Sequence, residues 1–524
     1  MTVSTTGTDP ATPRPERRGG RALRVASGLL VVGLAGGALA GATHLGVADA
    51  VPVPADEVEV APTPVTLQCA GPVVLPQRAE RGDAAFDPSP VAPDVTLSAV
   101  TAAGPGAGAL AVLPLGSDTA TRDLAAGGGA VHLGEVAAPL VVRAQPQDLS
   151  PVAAATGASV VTDGDARGLA AASCRAPGND EWFVGGSTAV GATATLVLTN
   201  PGLTAAQVDL ELFGPNGPVE PATRQHVVAP GATKVVDLGG AAADQAAVVV
   251  HVTVAGGLVA AHVQDTVVRG FTPAGTDLVV PGVAPATRQV VAGVVAPKSQ
   301  VGSADAPALR LLAPGGATTA QVTLLGADGP VPLPGAQRVT LAAGEVTDVP
   351  LGGLPAGAYT VVVDADLPVV AGAVVSRTGA PGALDDEPRV ERAWSPSSTP
   401  GVHGTVAVPR GVQARVVIGA VGQAADDAGE GAATLRVLGS EGEVLSEHRV
   451  RVDAGTTGAW DVAELAKGAV AVELEPEGGV PLAWAVTLTV DQEDGPLVAT
   501  LDPVPVVDVT AALTVRQDAR LARD

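Results

Sequence analysis

Three stretches of this chain repeat one another, and the repetition limits its fold more than any other feature. Leu212-Phe213-Gly214-Pro215-Asn216-Gly217-Pro218-Val219, Leu324-Leu325-Gly326-Ala327-Asp328-Gly329-Pro330-Val331 and Val437-Leu438-Gly439-Ser440-Glu441-Gly442-Glu443-Val444 each read as the end of a strand and its turn. Gly214, Gly326 and Gly439 stand 112 and 113 residues apart. A second marker, Val228-Ala229-Pro230-Gly231, Leu341-Ala342-Ala343-Gly344 and Val452-Asp453-Ala454-Gly455, keeps intervals of 113 and 111 residues. The third, at Gly257–Ala260, Pro368–Ala371 and Pro481–Ala483, opens the closing strand of each unit. A repeat of this length is domain-sized, so modules are expected at 179–297, 298–410 and 411–524, preceded by a degenerate one at 66–178.

Inside the repeats apolar and polar residues alternate, as in Val208-Asp209-Leu210-Glu211-Leu212, the period of half-buried antiparallel strands. With 66 Gly and 45 Pro among 524 residues, turns recur every few residues and long helices have no room. The predicted class is all-β, as tandem immunoglobulin-like β-sandwich modules. A propeller is the alternative, although its repeat would be roughly 40 to 50 residues. The best helical stretch is short, Asp461 to Lys467, with Asp461 and Glu464 placed for a capping-box-like start and Gly468 for a stop.

The amino terminus sets the expected compartment. Residues 1–24 form a basic arm with Arg14, Arg17, Arg18 and Arg21, and 25–47 carry no acidic or basic side chain apart from His44. That stretch is long enough to span a bilayer, and the Arg-rich flank predicts a cytoplasmic arm and an extracytoplasmic bulk. A single-pass signal-anchor in the cytoplasmic membrane is therefore expected. Ala38-Leu39-Ala40 and Ala48-Asp49-Ala50 keep secretion after signal cleavage as the alternative. The Pro-containing 48–65 is expected to be an extended linker.

Outside the cytoplasm, the only two cysteines, Cys69 and Cys174, are expected to form a disulfide that clasps the first module. A net charge of −24, with Lys only at 234, 298 and 467, excludes a phosphate-neutralising face and hence nucleic acid.

Catalytic, metal and cofactor residues are harder to name, and none is nominated. A two-residue turn at Gly256-Gly257 would place His251 opposite His262, where Asp265 could add a third metal ligand. The other repeats lack that pair, so exposed strand positions explain both histidines without a metal. The acidic runs Asp385-Asp386-Glu387, Asp426-Asp427 with Glu430, and Asp491 with Glu493-Asp494 match no calcium loop and read as solvated turns. No G-x-S-x-G, H-E-x-x-H or G-x-x-x-x-G-K motif occurs. Trp394, Trp460 and Trp484 are the candidates for stacking on glycan.

From Cys174-Arg175-Ala176-Pro177 through Glu181-Trp182-Phe183-Val184-Gly185-Gly186, Leu196-Val197-Leu198-Thr199-Asn200-Pro201-Gly202 and Leu212-Phe213-Gly214-Pro215, the chain resembles a family of actinobacterial, membrane-anchored secreted proteins known only as a domain of unknown function. The likeness runs over about 60–515, and Trp-Phe-Val-Gly-Gly is its most specific part. It implies an envelope location and carries no activity or site residue; Trp182 and Phe183 are expected to anchor cores. The expected role is a non-catalytic structural or protein-interaction scaffold of the envelope, with a cell-wall polysaccharide-binding or glycan-processing accessory as the alternative.

Overall fold

The computed structural model describes residues 62–76, 87–333, 335–422 and 429–506, together with 56–59, 512–515 and positions 30, 33, 34 and 37. The expected span at 25–47 otherwise lies outside these residues. Among the described residues no helix is long and apolar enough to cross a membrane. The chain divides into two compact units, Met1–Val60 with Thr510–Asp524, and Ala61–Val509. In the first, Asp56–Glu59 pairs antiparallel with Ala512–Val515, so part of the expected linker is a strand.

Among its described residues the second unit is all β except for two single helical turns, Leu238–Ala241 and Val462–Leu465. Asp237 caps the first turn by accepting from the Gly239 amide at 2.9 Å. Asp461 stands at the equivalent place, but its carboxylate accepts from the Arg415 guanidinium at 2.6 Å and makes no cap. The capping-box start expected at Asp461 and Glu464 is therefore replaced by an ion pair across two strands.

Strand pairing defines four modules with one topology. In the second, Asp180–Val184, Val249–Ala255, Ala206–Gly214 and the pair Gly217–Val219 and Gln225–Val228 form one sheet; Ala232–Asp237, Ala192–Asn200, Ala260–Arg269 and Thr272–Val279 form the other. Numbered by appearance, the strand order is 1-6-3-4 over 5-2-7-8, and the same order holds in all four modules. An immunoglobulin constant domain keeps its first two strands in one sheet. Here they lie in opposite layers, a difference that turn spacing cannot reveal. The first module, expected to be degenerate, has the full set from Val65–Cys69 to Gly168–Ser173. Pairing also assigns Ala286–Ala296 and Gly404–Ala407 as the first strands of the third and fourth modules, so each boundary falls one strand earlier than 298 and 411.

Period-two alternation supplies the cores. Val208, Leu210 and Leu212 turn inward from the third strand and meet Leu196, Leu198, Val250, Val252 and Val263 from both layers. In the third module the sixth and seventh strands merge into one, Gly357–Pro381, which crosses from one sheet to the other. The segment leaving each eighth strand returns to the module's own first strand, through Gln68↔Arg175, Trp182↔Gly282, Val291↔Ser397 and Thr405↔Val504. Only in the first module is this return made covalent, by the disulfide Cys69–Cys174.

The four modules close into a ring. Val161 and Ala170 pack on Leu278 and Val280 at the first seam; Trp182 and Val184 pack on Leu312 and Val370 at the second. Val290 and Val362 meet Ala483 and Ala485 at the third, and Val100 and Leu110 share a core with Leu438 and Val504 at the fourth. Each eighth strand touches the eighth strands of both neighbouring modules, and in the first, second and fourth modules every residue of it is buried. Strands that would be open sheet edges in isolated modules are thus covered by one another.

Candidate functional site

Period two places Trp182 and Phe183 on opposite faces of one strand. Phe183 enters the core of the second module, whereas Trp182 lies on the outer face and is covered by the third module. The rest of Trp-Phe-Val-Gly-Gly serves the same seam. A Cβ on Gly185 would meet the Trp394 ring of the third module at 3.0 Å, and the Gly186 carbonyl accepts from Arg310 of the third module at 2.5 Å.

A groove of about 760 Å³ opens beside Trp182, between the second and third modules. His251 is the register partner of both Trp182 and Glu211, and its ring stacks on the indole with centroids 3.9 Å apart and 12° between planes. Phe213 extends this floor, 5.9 Å from Trp182. The His251 Nδ1 lies 3.0 Å from Glu211 and its Nε2 2.9 Å from Asp180. Arg224 donates to Asp209 at 2.7 Å and to Glu211 at 2.8 Å; its hydrogen bond with Asp209, more than the nearby charges, raises the guanidinium above its ordinary value. Five prolines, Pro218, Pro221, Pro285, Pro314 and Pro368, complete the walls with Leu367. The surface combines a rigid aromatic floor with a rim that is acidic on balance, a composition suited to recognition.

The expected His251 and His262 pairing is not formed. Gly256 and Gly257 connect strands of different layers, so His251 stands in one sheet and His262 in the other, opposite Val197. Desolvation pushes the His262 imidazole down to about 4. Asp265 is elsewhere again, accepting from the Trp394 indole N–H at 2.8 Å and lying 3.2 Å from Arg392. Among the described residues no three His, Cys, Asp or Glu are grouped to hold a metal ion.

The acidic turns are ties between strands and modules. Asp385 accepts from the Phe271 amide at 2.6 Å and from the Thr272 hydroxyl, and the Thr272 bond in particular holds its carboxyl below the ordinary value. Asp494 takes the Arg167 guanidinium at 2.7 Å, and Glu430 pairs with Arg451 at 2.7 Å. Asp426 and Asp427 lie outside the described residues. Of the tryptophans considered for glycan stacking, Trp394 and Trp484 are 3% and 2% exposed and Trp460 is half-buried.

Ionisable groups that no sequence motif marks are buried where the eighth strands meet. Asp277 accepts from the Trp394 amide at 2.6 Å, and burial pushes its carboxyl well above the ordinary range. Glu391 accepts from the Leu169 amide at 2.9 Å with Arg167 beside it at 3.9 Å, and burial raises it likewise. Nothing in the local sequence of these strands distinguishes such residues, because their partners belong to other modules.

A family described as a family of unknown function (DUF5719) matches residues 131–463, which include the Trp182 strand, the groove and both of its modules. No curated protein and no solved structure matches the chain.

Proposed function

We propose, from the premise that this chain belongs to the family of unknown function DUF5719, that it is a non-catalytic scaffold of the cell envelope. In this reading residues 25–47 hold it to the cytoplasmic membrane, and β-sandwich modules outside the membrane bind another protein. The observation that carries the reading is the groove at the second seam. Its two walls belong to different modules, yet Arg310 and Trp394 fix them together, so the surface exists before any partner arrives. Trp182 and Phe213, almost wholly buried beneath the groove, hold the His251 ring in place, and His251 with Leu367 offers a partner an apolar centre with Glu211 and Arg224 as the polar rim.

Crosslinking in cells, followed by mass spectrometry, tests this on the anchored protein. Leu367 is 43% exposed on the groove wall, so Leu367→Asp places a charge there without disturbing a core. The expected result is capture of a constant set of envelope proteins, reduced roughly tenfold by the variant. Equal capture by both proteins, or capture of glycan alone, overturns the reading. Glycan binding is the second reading; with Trp394 and Trp484 in cores and Trp182 and Phe213 only 6% and 8% exposed, it would have to rest on the His251 ring and the polar rim of this same groove.

A further inference from the structure

The segments that leave the four eighth strands converge on one cavity of about 550 Å³, lined by residues of all four modules. Arg175 of the first module forms an ion pair with Asp502 of the fourth through one carboxylate oxygen, and the Ser173 hydroxyl donates to the Asp502 carbonyl at 2.5 Å. The Ser397 hydroxyl of the third module accepts from the Val283 amide of the second at 3.0 Å. Three further polar atoms of the lining are buried and have no hydrogen-bond partner among the described residues. They are Oδ1 of Asp502, Oγ of Ser398 and Oγ of Ser150.

Leaving such atoms unpaired costs stability, and here the debt falls on three modules at one place. We propose that the cavity is a binding site for a small, uncharged polyhydroxylated molecule of monosaccharide size. Charge balance selects the class. Arg175 is the cation of the site, and Asp502, paired with one of its nitrogens, offsets its charge, so an anion gains little net attraction and meets the open carboxylate oxygen. A cation gains little, because Arg175 offsets the Asp502 charge. The carboxylate oxygen accepts only, whereas each serine hydroxyl both donates and accepts, so a ligand bearing several hydroxyl groups can satisfy all three. Val65, Val283 and Val504 supply apolar walls for the carbon frame. The volume lies in the usual range for small-molecule sites. This site goes beyond the groove, shares no residue with it, and either can fail alone.

Calorimetric titration of the full chain with glucose, N-acetylglucosamine and myo-inositol tests the proposal, beside glucosamine and glucuronate as charged probes of similar size. The expected result is saturable binding of at least one neutral probe, roughly tenfold tighter than either charged one. The double variant Ser150→Ala with Ser398→Ala removes two hydroxyls that bond to no described residue, so the fold is kept, and should weaken that binding roughly tenfold or more. Absence of binding by every neutral probe, tighter binding of a charged one, or unchanged affinity in the double variant overturns it.

Discussion

Arg310 shows how one side chain can hold two modules. It is 4% exposed, donates to the Gly186 and Val248 carbonyls at 2.5 and 3.2 Å, grips Asp348 through two nitrogens, and lies 5.0 Å over the Trp394 ring. Arg310→Met keeps much of the packing but removes this shared donor, and should cost about 3 kcal/mol, read as a lower urea midpoint at an unchanged m-value. Glu181 makes a pH test. Burial, more than the opposing charge of Arg175 or the like charge of Asp180, raises its carboxyl from 4.5 to about 7. The protonated form is thus favoured on folding, and the stability it contributes is complete below pH 4.5 and lost as pH rises through about 7. Unfolding curves of Glu181→Gln and the parent should therefore shift relative to one another by about 3 kcal/mol across that window, in favour of Gln at the alkaline end. A parallel pair of pH profiles would remove the assignment. Of these two residues the sequence shows only that Glu181 stands beside Trp182. Their partners, Val248 and Asp348 or Arg175, come from elsewhere in the ring. The His251 pair failed for the same reason, since a Gly-Gly turn looks alike whether it returns to its own sheet or crosses to the facing one.

At the scale of elements, the repeat markers visible in the sequence turn out to lie at every seam, facing one another at the second and third and facing unmarked turns of the first module at the other two. The turn after the third strand of one module meets the glycine turn before the fifth strand of the next. A Cβ on Gly231 would lie 2.7 Å from the Gly116 Cα, one on Gly344 3.1 Å from Pro218, one on Gly455 4.0 Å from Pro330, and one on Gly442 2.7 Å from the Gly129 amide. The spacing of the markers was therefore legible and their purpose was not, because a head-to-tail contact appears only once the ring is closed. Glycine is also required where the eighth strands approach. Gly275 has φ +103°, and its Cβ would come 2.8 Å from the Arg392 amide nitrogen. Gly275→Val should cost about 2 to 4 kcal/mol in denaturant unfolding, whereas Gly315→Val, which meets nothing within 4 Å, should be nearly neutral. The disulfide belongs to this scale as well. Three seams are crossed by the chain itself, but the fourth, between the last module and the first, is not. Cys174 adjoins Arg175, which crosses that seam to Asp502. Replacing Cys69 and Cys174 by Ala should cost about 2 to 5 kcal/mol and raise hydrogen exchange at the fourth seam, in Ala155, Arg175 and Ala407, before the others.

A ring and a row of four modules differ in how they unfold. In a row each end module has one neighbour and can detach at the cost of a single interface. In this ring every module has two, and detaching one also uncovers eighth strands that have no solvent-tolerant face: Thr272–Val279 is buried at all eight positions, Gly168–Ser173 at all six. The central ion pairs reinforce this, since Arg167 of the first module, Glu391 of the third and Asp494 of the fourth bind within one cluster, so losing the third or fourth module takes a partner from the buried Arg167 guanidinium. The whole second unit should therefore unfold in one transition. The tryptophans report on the question directly, with Trp182 and Trp394 at the second seam and Trp460 and Trp484 in the fourth module. Fluorescence of Trp394→Phe, weighted to the fourth module, and of the double variant Trp460→Phe with Trp484→Phe, weighted to the second seam, should give the same urea midpoint as far-ultraviolet circular dichroism. Midpoints separated beyond error would mean that the modules fold independently and that the seams are weak. The same logic makes a chain ending before Gly404 insoluble or non-cooperative rather than a smaller folded protein, because it would expose the eighth strands of the first and third modules together.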